Sequence, residues 1–359
     1  MSAERPQVSV VSPSQSVRQN PGIKDILKGL VVCCYVFCPP IPDLIVRKLA
    51  FHPPRKRNYS AYLMDRPTVE KHSAAKLVGK RFFIKQAHLM KCSSARYEEV
   101  LQNVECFTLR TSLGNFLIGI KASPRDPRPQ GKAKNVVVIF AQPNASDLGE
   151  YLQPFMISIP MMAEIFNVDV YAFDYSGYGL STGKPSERNV YADIRAMYDY
   201  VRKYRPDKKI VMVGYSIGTA VVADLASENP EGLVGVVFVA PFTSGIRLFT
   251  AQPANENSSR LDRFTTCDKV GDIDVPLLVC HGCRDEAIAY QHGIIIDRRA
   301  ARPVSPLFLS GADHMTIFNG KYLETFSRIR MFLEEETDAD LPSSETTAQQ
   351  STPSEEPTK

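Results

Sequence analysis

The stretch Lys209-Ile-Val-Met-Val-Gly-Tyr-Ser-Ile-Gly-Thr-Ala-Val-Val-Ala-Asp-Leu-Ala226 decides the fold. Its first half is rich in Val and Ile, which is typical of a strand that is covered on both faces. Its second half combines small and apolar residues, which favour a closely packed helix. Between the halves, Gly214-x-Ser216-x-Gly218 predicts a sharp strand-to-helix turn, because the glycines remove Cβ clashes and let the Ser216 hydroxyl project above the sheet. The stretch therefore predicts a serine nucleophile.

Around this turn, apolar runs alternate with helix-like segments. The runs typical of strands are Asn135–Ala141, Val168–Phe173, Ile210–Gly214, Val234–Ala240, Val275–Cys280 and Val304–Leu309. The helix-like segments are Glu187–Tyr204, Ile217–Glu228 and Lys321–Glu335. This alternation predicts an α/β fold with a mostly parallel central sheet and helices on both faces. The pair Val104–Leu109 and Asn115–Lys121 predicts an antiparallel hairpin before it, and functional residues are expected at the carboxyl ends of the parallel strands.

A second G-x-S-x-G match lies at Gly179-Leu-Ser181-Thr-Gly183. The bare pattern is expected by chance in some chains of this length, so its surroundings must decide. No strand run leads directly into Ser181, and the nearby Gly177 and Pro185 describe a turn. We therefore assign the nucleophile to Ser216 and a structural loop to Ser181.

A serine hydroxyl becomes a good nucleophile only when a base takes its proton and a carboxylate orients that base. In this kind of fold the order along the chain is serine, acid, histidine. His314 follows the last strand run and is the predicted base, whereas His281 lies at a strand end and His292 in a helix-like stretch. Asp285 follows the run Val275–Cys280 and is the predicted acid. Its competitors are Glu286 and, more weakly, Asp313.

The reaction also requires N–H donors for the developing oxyanion. The backbone N–H of Ile217, directly after the nucleophile, is the first predicted donor. The second is expected in the loop after Asn135–Ala141, where we assign the N–H of Asn144. Pro143 has no N–H, so donation must come from beyond it.

Near the N-terminus, an apolar run of 14 uncharged residues, 29–42, contains Cys33, Cys34 and Cys38. It is too short for a bilayer span, which needs about 20 apolar residues, and a signal peptide fits poorly because a long polar stretch precedes it. Residues 24–57 hold seven basic and two acidic side chains, a net charge of +5. Cysteines beside apolar and basic residues are candidates for S-palmitoylation, and one acyl chain with a basic patch gives stable anchoring. The alternative is a short hydrophobic helix packed on the globular domain.

The composition agrees with a globular chain that has polar ends. The 359 residues are 44% hydrophobic and 23% charged, which excludes collagen-like, coiled-coil and fully disordered chains. A net charge of +4 is too small to indicate nucleic acid. We see no sign of a metal or cofactor, and we interpret Cys280-x-x-Cys283 as a strand end rather than a zinc or redox motif. The predicted divisions are a disordered tail 1–22, a membrane-anchoring segment 23–58, a connector 59–99, a catalytic domain 100–336 and a disordered acidic tail 337–359.

These motifs together resemble the α/β-hydrolase domain-containing protein 17 family, membrane-anchored serine hydrolases that remove palmitate from proteins. The most specific stretch is Asp174-Tyr-Ser-Gly-Tyr-Gly-Leu-Ser-Thr-Gly-Lys-Pro-Ser-Glu-Arg-Asn-Val-Tyr-Ala-Asp-Ile194, and the resemblance covers roughly residues 29–336. The elbow, the acid loop, the histidine turn and Cys-Cys-x-x-x-Cys-Pro-Pro also match. The resemblance implies an α/β-hydrolase fold, S-acylated membrane proteins as substrates and palmitoylation of Cys33, Cys34 and Cys38. It also implies a peripheral, lipid-anchored location at the cytoplasmic face of the plasma membrane or of endosomes.

The chain departs from the family in one place. Relatives have His-Gly before the asparagine of the oxyanion loop, whereas this chain has Gln142-Pro143. Two alternatives therefore accompany the thioesterase hypothesis: a lipid or small-ester hydrolase, because such an active site does not itself distinguish thioesters from esters, and a membrane-anchored pseudoenzyme with an altered oxyanion loop. The loop also contains a glycosylation sequon, Asn144-Ala-Ser146, and a glycan there would obstruct the site, so the enzyme hypothesis predicts a cytoplasmic domain.

Overall fold

The computed structural model describes residues 50–65, 73–87, 101, 103–154, 157–249, 258–259 and 262–340. In this part, the strands are β1 (Tyr59–Leu63), β2 (Phe82–Gln86), β3 (Val104–Arg110), β4 (Phe116–Ala122), β5 (Val136–Ala141), β6 (Val170–Phe173), β7 (Lys209–Tyr215), β8 (Leu233–Val239), β9 (Leu277–Gly282) and β10 (Leu307–Leu309). The α-helices are α1 (Ala74–Leu77), α2 (Ile159–Phe166), α3 (Glu187–Tyr204), α4 (Ile217–Ala226), α5 (Thr266–Lys269), α6 (Gln291–Arg299) and α7 (Leu323–Met331). The predicted tail 1–22, the cysteines Cys33, Cys34 and Cys38 and residues 341–359 lie outside the described residues.

Eight strands form one sheet in the order β10-β9-β8-β7-β5-β6-β4-β3. From β10 to β6 all neighbours are parallel, and β4 and β3 extend this edge in antiparallel pairing. The α/β class, the mostly parallel sheet and the antiparallel hairpin are therefore confirmed. Because β7 to β10 are parallel neighbours, the loops that follow them open at the same edge of the sheet.

The sheet is covered on both faces, as its continuous apolar strands predict. In β5 all six residues are buried: Val136, Val138 and Phe140 belong to one core, and the alternate residues of the strand to the other. Helices α2 and α7 contribute buried residues to the first core, and α3, α4 and α6 to the second. The helices therefore lie on both faces of the sheet.

The helix boundaries follow local sequence signals. Helix α3 begins after Ser186, whose side chain accepts a hydrogen bond from Asn189 N, and it ends shortly before Pro206. Helix α4 ends at Ala226 rather than at Glu228, since Asn229 takes a left-handed conformation with φ of 47° and Pro230 follows. The last helix begins at Leu323 and continues as a π-helical turn, Phe332–Glu336.

The described parts of the predicted connector include the antiparallel strand pair β1–β2, with helix α1 between the two strands in the chain. This pair, which we call the hairpin, packs on the first core. Its inner residues Tyr59, Ala61 and Phe82 are at most 2% exposed. Phe51, which falls in the segment predicted as a membrane anchor, is buried in the second core. At the other end, Thr337 and Ala339 are buried, so the ordered chain continues past the predicted boundary at 336. Among the described residues, no helix is long and apolar enough to cross a bilayer.

Candidate active site

Ser216 stands at the turn between β7 and α4, as the sequence predicts. Its backbone is strained, with φ of 55° and ψ of −119°, a conformation that costs energy and is typical of functional turns. The glycines are needed sterically: a Cβ on Gly214 would lie 2.5 Å from the Gly218 carbonyl oxygen, and one on Gly218 would lie 2.1 Å from Ala141 O. The elbow therefore holds the Ser216 side chain at the carboxyl edge of the sheet while α4 packs tightly behind it.

His314 and Asp285 meet Ser216 at this edge. His314 Nε2 lies 3.2 Å from Ser216 Oγ, and His314 Nδ1 lies 2.7 Å from Asp285 Oδ2. These distances suit a chain of hydrogen bonds in which Nδ1–H donates to the carboxylate and Nε2 accepts from the hydroxyl. The structure thus brings together all three residues that sequence reasoning selected, from the loops after β7, β9 and β10.

Asp285 is buried and well supplied with donors. Its Oδ1 accepts hydrogen bonds from the N–H groups of Ala287 and Ile288 at 2.9 and 2.7 Å. Burial by itself would raise the pKa of Asp285, but hydrogen bonds from His281 and His314 outweigh it and hold that pKa below its usual range. Asp285 therefore stays ionised beside the His314 ring.

Two residues that sequence reasoning did not assign to the site support this pair. His281 Nε2 lies 3.3 Å from Asp285 Oδ2 and 3.0 Å from Ile288 O, with the ring fully buried behind the carboxylate. Tyr215 donates its hydroxyl to the backbone carbonyl of His314 at 2.6 Å. Sequence reasoning considered His281 only as a base, and Tyr215 only as a spacer in the elbow.

The competitors have other positions. Ser181 is buried, donating to Asp174 O at 2.9 Å and accepting from Ile118 N at 3.1 Å, so it is a structural serine. Glu286 is exposed. Asp313 caps its own turn by accepting from the N–H groups of Met315 and Thr316. His292 lies 2.9 Å from the Thr243 hydroxyl, and burial lowers its pKa to about 4.

The proposed oxyanion loop begins where β5 ends and lies against the elbow. A Cβ on Gly218 would also lie 3.0 Å from Gln142 O, so the backbones of loop and helix are in direct contact. Within the described residues, the N–H groups of Ile217 and Asn144 have no protein acceptor. The Ala145 N–H, by contrast, is used by the Asn144 side chain at 2.9 Å. The two predicted donors are therefore open at the loop–elbow contact.

The side chain of Asn144 ties this loop to the last residues of the segment predicted as a membrane anchor. Asn144 Nδ2 donates to Ala50 O at 2.6 Å, and Oδ1 accepts from His52 N at 2.9 Å and from the Tyr178 hydroxyl at 2.8 Å. Farther along the loop, Asp147 Oδ2 accepts from Asn58 N at 2.9 Å. Residues 50–58 thus lie along the loop and fix it from outside.

A buried carboxyl, Asp174, fixes the loop from inside. Its Oδ1 accepts from Gln142 Nε2 at 3.1 Å and from Leu148 N at 2.9 Å, and its Oδ2 accepts from the Tyr59 hydroxyl at 2.5 Å. Burial, together with the charge of Asp147, raises the pKa of Asp174 to about 7. The side chain of Gln142 therefore points into the protein. Where the family resemblance implies His-Gly, Gln142 makes a hydrogen bond to Asp174 inside the loop.

The Cys280-x-x-Cys283 pair lies at the end of a strand, as the sequence predicts. Cys280 lies buried in β9 and Cys283 just beyond it, both as free thiols. Burial raises the pKa of the Cys280 thiol to about 12, so it stays protonated. Among the described residues there is no group of three or more His, Cys, Asp or Glu side chains that could hold a metal ion.

The nucleophile stands on a sharp turn after a central strand of a mostly parallel sheet. The acid and the histidine follow on later loops, in the chain order serine, acid, histidine, which is characteristic of one class of enzyme fold. The fold and site are those of an α/β-hydrolase of the serine type.

Comparison with known proteins gives the family. The chain is 34% identical over 312 residues to alpha/beta hydrolase domain-containing protein 17B of Homo sapiens, covering 85% of this chain and 96% of that protein. It is 33% identical to alpha/beta hydrolase domain-containing protein aho-3 of Caenorhabditis elegans, covering 86% and 83%. The chain belongs to the alpha/beta hydrolase domain-containing protein 17 family, and the resemblance inferred from its motifs is confirmed.

Two broader comparisons agree with the fold. Residues 164–256 match the family model Hydrolase_4, described as serine aminopeptidase, S33. The structure of an esterase from Pyrococcus furiosus superposes with a TM-score of 0.52 at 18% identity, covering 69% of this chain and 96% of the esterase. At that identity the likeness concerns the fold alone.

Proposed function

We propose that this chain is an acyl-protein thioesterase that removes S-linked palmitoyl groups from membrane-associated proteins. The observation that carries the proposal is the geometry of the site. His314 Nε2 lies 3.2 Å from Ser216 Oγ, and His314 Nδ1 lies 2.7 Å from Asp285 Oδ2. Membership of the family supports the choice of substrate class, since the resemblance implies depalmitoylation. The cysteine-rich, basic segment before Ala50 supports a site held near membrane-bound substrates.

In the first half of the reaction, Ser216 Oγ attacks the thioester carbonyl carbon while His314 Nε2 takes the hydroxyl proton. The carbonyl oxygen becomes an oxyanion, which accepts hydrogen bonds from the N–H groups of Ile217 and Asn144. When the tetrahedral intermediate collapses, the carbon–sulfur bond breaks and His314 returns the proton to the leaving sulfur. The products are a free cysteine thiol and palmitoyl-Ser216.

In the second half, water attacks the acyl-serine carbonyl and gives its proton to His314. Collapse releases palmitate, and the same proton returns to Ser216 Oγ. Asp285 stays ionised throughout, which stabilises the imidazolium that forms in both halves. The enzyme ends in its starting state and needs only water as co-reactant.

We further propose that S-acylation of Cys33, Cys34 and Cys38, with the nearby basic residues, holds the domain at the cytoplasmic face of the plasma membrane or of endosomes. The bonds of Asn144 support a cytoplasmic domain. Its Nδ2, the atom that a glycan would modify, donates to Ala50 O. A glycan on this nitrogen would obstruct the loop.

A fluorophosphonate probe tests the enzyme proposal. It should label the wild-type protein and Ser181→Ala, and it should fail to label Ser216→Ala. Each variant is first checked for a cooperative thermal transition, so that only folded protein is scored. Labelling of folded Ser216→Ala, or absence of labelling of the folded wild type, would contradict the proposal.

Substrate preference is tested separately. Release of palmitate from an S-palmitoylated protein is compared with release from an acylglycerol at equal acyl concentration. The proposal expects the thioester to be the better substrate by kcat/KM. Equal or faster glycerolipid turnover would establish the lipid-hydrolase alternative. For the anchor, replacing all three cysteines by serine should increase the share of the protein in the soluble fraction, and an unchanged share would contradict acylation.

A further inference from the structure

The hairpin β1–β2 has two faces of different character. Its inner face is built from Tyr59, Ala61, Leu63, Phe82, Ile84 and Gln86 and packs on the protein. Its outer face carries Ser60, Tyr62, Met64, Arg81, Phe83 and Lys85, which we call the basic hairpin face. Residue alternation places these side chains together, because Tyr62 pairs with Phe83, Ser60 pairs with Lys85, and Met64 N donates to Arg81 O at 3.1 Å.

The centre of this face is a flat aromatic pair beneath a cation. The rings of Tyr62 and Phe83 are stacked with centroids 5.4 Å apart. Lys85 Nζ lies 5.6 and 5.4 Å from the two centroids. Both residues are only partly buried, so part of their surface is open to solvent.

The described stretches that carry and adjoin the face are rich in positive charge. Across residues 50–65 and 73–87 there are seven basic side chains and a single acidic one, Asp65, and all seven basic residues are exposed. They are Arg55, Arg57, Lys56, Lys76, Lys80, Arg81 and Lys85. A surface of one sign attracts a partner of the opposite charge.

One end of the face also presents apolar side chains. Met64 is 50% exposed and Val78, in the turn before β2, is 48% exposed. Both lie beside cations, because Met64 pairs with Arg81 and Val78 precedes Lys80 by two residues. Exposed apolar tips bordered by Lys and Arg suit the boundary between lipid headgroups and acyl chains, where the tips enter and the cations meet phosphate.

We propose that the basic hairpin face is a second membrane-contact surface, which binds a bilayer rich in anionic lipid. A purely acidic protein would account for the charge but not for the exposed Met64 and Val78 or for the interfacial aromatic pair. The proposal goes beyond the thioesterase function and does not require acylation. Where Cys38 is acylated, the twelve-residue stretch to Ala50 holds the domain within about 40 Å of the bilayer, since an extended residue spans about 3.4 Å.

The sequence offers an optical test, because it contains no Trp. The full chain with Cys33, Cys34 and Cys38 replaced by serine excludes any contribution from acyl groups. In this background Met64→Trp places one reporter on the face, and Tyr204→Trp places a matched reporter at a position that is 58% exposed on α3. Vesicles of phosphatidylcholine and phosphatidylserine should shift the Met64→Trp emission to the blue and leave Tyr204→Trp unchanged.

A double charge-reversal variant, made in the same triple-serine background, measures the electrostatic contribution to vesicle binding. Lys80→Glu with Arg81→Glu should lower partitioning onto phosphatidylserine vesicles by about tenfold or more, because each basic residue adds to the attraction of the anionic leaflet. The control pair Lys203→Glu with Arg298→Glu makes the same charge change at exposed positions of α3 and α6 and should have little effect. Pure phosphatidylcholine vesicles should bind all forms weakly.

The outcomes are distinct. Equal loss in both pairs, or no blue shift of Met64→Trp, would overturn the proposal; an acidic protein would then be the partner to seek. Turnover of a soluble short-chain ester by each variant shows that the active site is intact. This readout depends on the Ser216–His314–Asp285 site and not on the basic hairpin face, so a failure of the proposed enzyme function is distinguishable from a failure of the membrane surface.

Discussion

The side-chain amide of Asn144 donates a hydrogen bond to the carbonyl oxygen of Ala50 at 2.6 Å. Ala50 lies in the segment 23–58 that the sequence predicts as an anchor, and Asn144 contributes the predicted second oxyanion donor. The two residues are 94 positions apart, so this bond joins residues 50–58 to the active-site loop. The position of the Asn144 N–H therefore depends on residues that have no part in the chemistry.

Replacing Asn144 by alanine keeps the backbone N–H but removes the bonds to Ala50, His52 and Tyr178. We expect kcat to fall by roughly 10- to 100-fold with a smaller change in KM, because a misplaced oxyanion donor is felt mainly in the transition state. Steady-state kinetics on a soluble ester measures this. The control is Asn189→Ala, whose side chain bonds Lys184 O outside the loop. Equal kinetics of the two variants would contradict the role given to the Asn144 side chain.

His281 is a positioning residue for the acid. In His281→Asn the Asp285 carboxylate loses the hydrogen bond from the His281 ring, so its pKa rises toward the usual range and it orients the His314 ring less firmly. We expect kcat to fall about tenfold, as for loss of an oriented hydrogen bond near the reacting groups. His292→Asn is the matched control, since His292 is also buried but bonds Thr243. A merely structural role would lower the thermal midpoint of both variants and leave kcat of the folded protein unchanged.

Tyr215→Phe removes the hydrogen bond to the His314 carbonyl, which has a length of 2.6 Å. The expected loss is about 1 kcal/mol of unfolding free energy and several-fold in kcat, because the histidine turn keeps its other contacts. Urea unfolding and ester turnover provide the two measurements. An unchanged kcat would show that the turn holds His314 without the tyrosine.

Asp174 should make the stability of the protein depend on pH. Its pKa is raised to about 7 by burial, against 3.8 for a free aspartate. The folded state therefore binds the proton more tightly than the unfolded state. The contribution of Asp174 to the free energy of unfolding is complete below pH 3.8 and is lost as the pH rises through about 7. In Asp174→Asn the thermal midpoint should fall less across this interval than in the wild type. Parallel curves for the two proteins would refute the assignment, and Asp193, whose pKa is also raised to about 7, is the next residue to replace.

Ser181→Ala tests the second G-x-S-x-G. Its hydroxyl joins Asp174 O to Ile118 N, so its loss leaves a buried N–H without its partner and costs about 1–3 kcal/mol of unfolding free energy. The folded fraction should keep wild-type labelling by fluorophosphonate. Ser227→Ala, which removes a bond to Asp224 O within one helix end, is the control and should cost less.

The sheet and the triad could be predicted because their signals are local. Continuous Val- and Ile-rich runs indicate strands buried on both faces, and G-x-S-x-G constrains the backbone at Ser216 by sterics alone. The strand Val304–Leu309 was predicted too long, since the strand β10 is Leu307–Leu309 and an isolated bridge joins Pro303 to Leu277 of β9 upstream of it. Between them, Pro306 has no N–H with which to make the ladder continuous.

The sequence by itself determined the fold class, the family, and the choice of Ser216, Asp285 and His314, because each depends on short-range periodicity or on order along the chain. Only the tertiary structure decided that Tyr59, Asn144 and Asp174 join residues 50–59 to the oxyanion loop. It also decided that His281 lies against the carboxylate of Asp285, and that the basic face of β1–β2 is exposed to solvent. These contacts join residues that are far apart in the chain. Whether a given side chain contacts a partner or solvent depends on how separate elements pack, and no local sequence pattern contains that information.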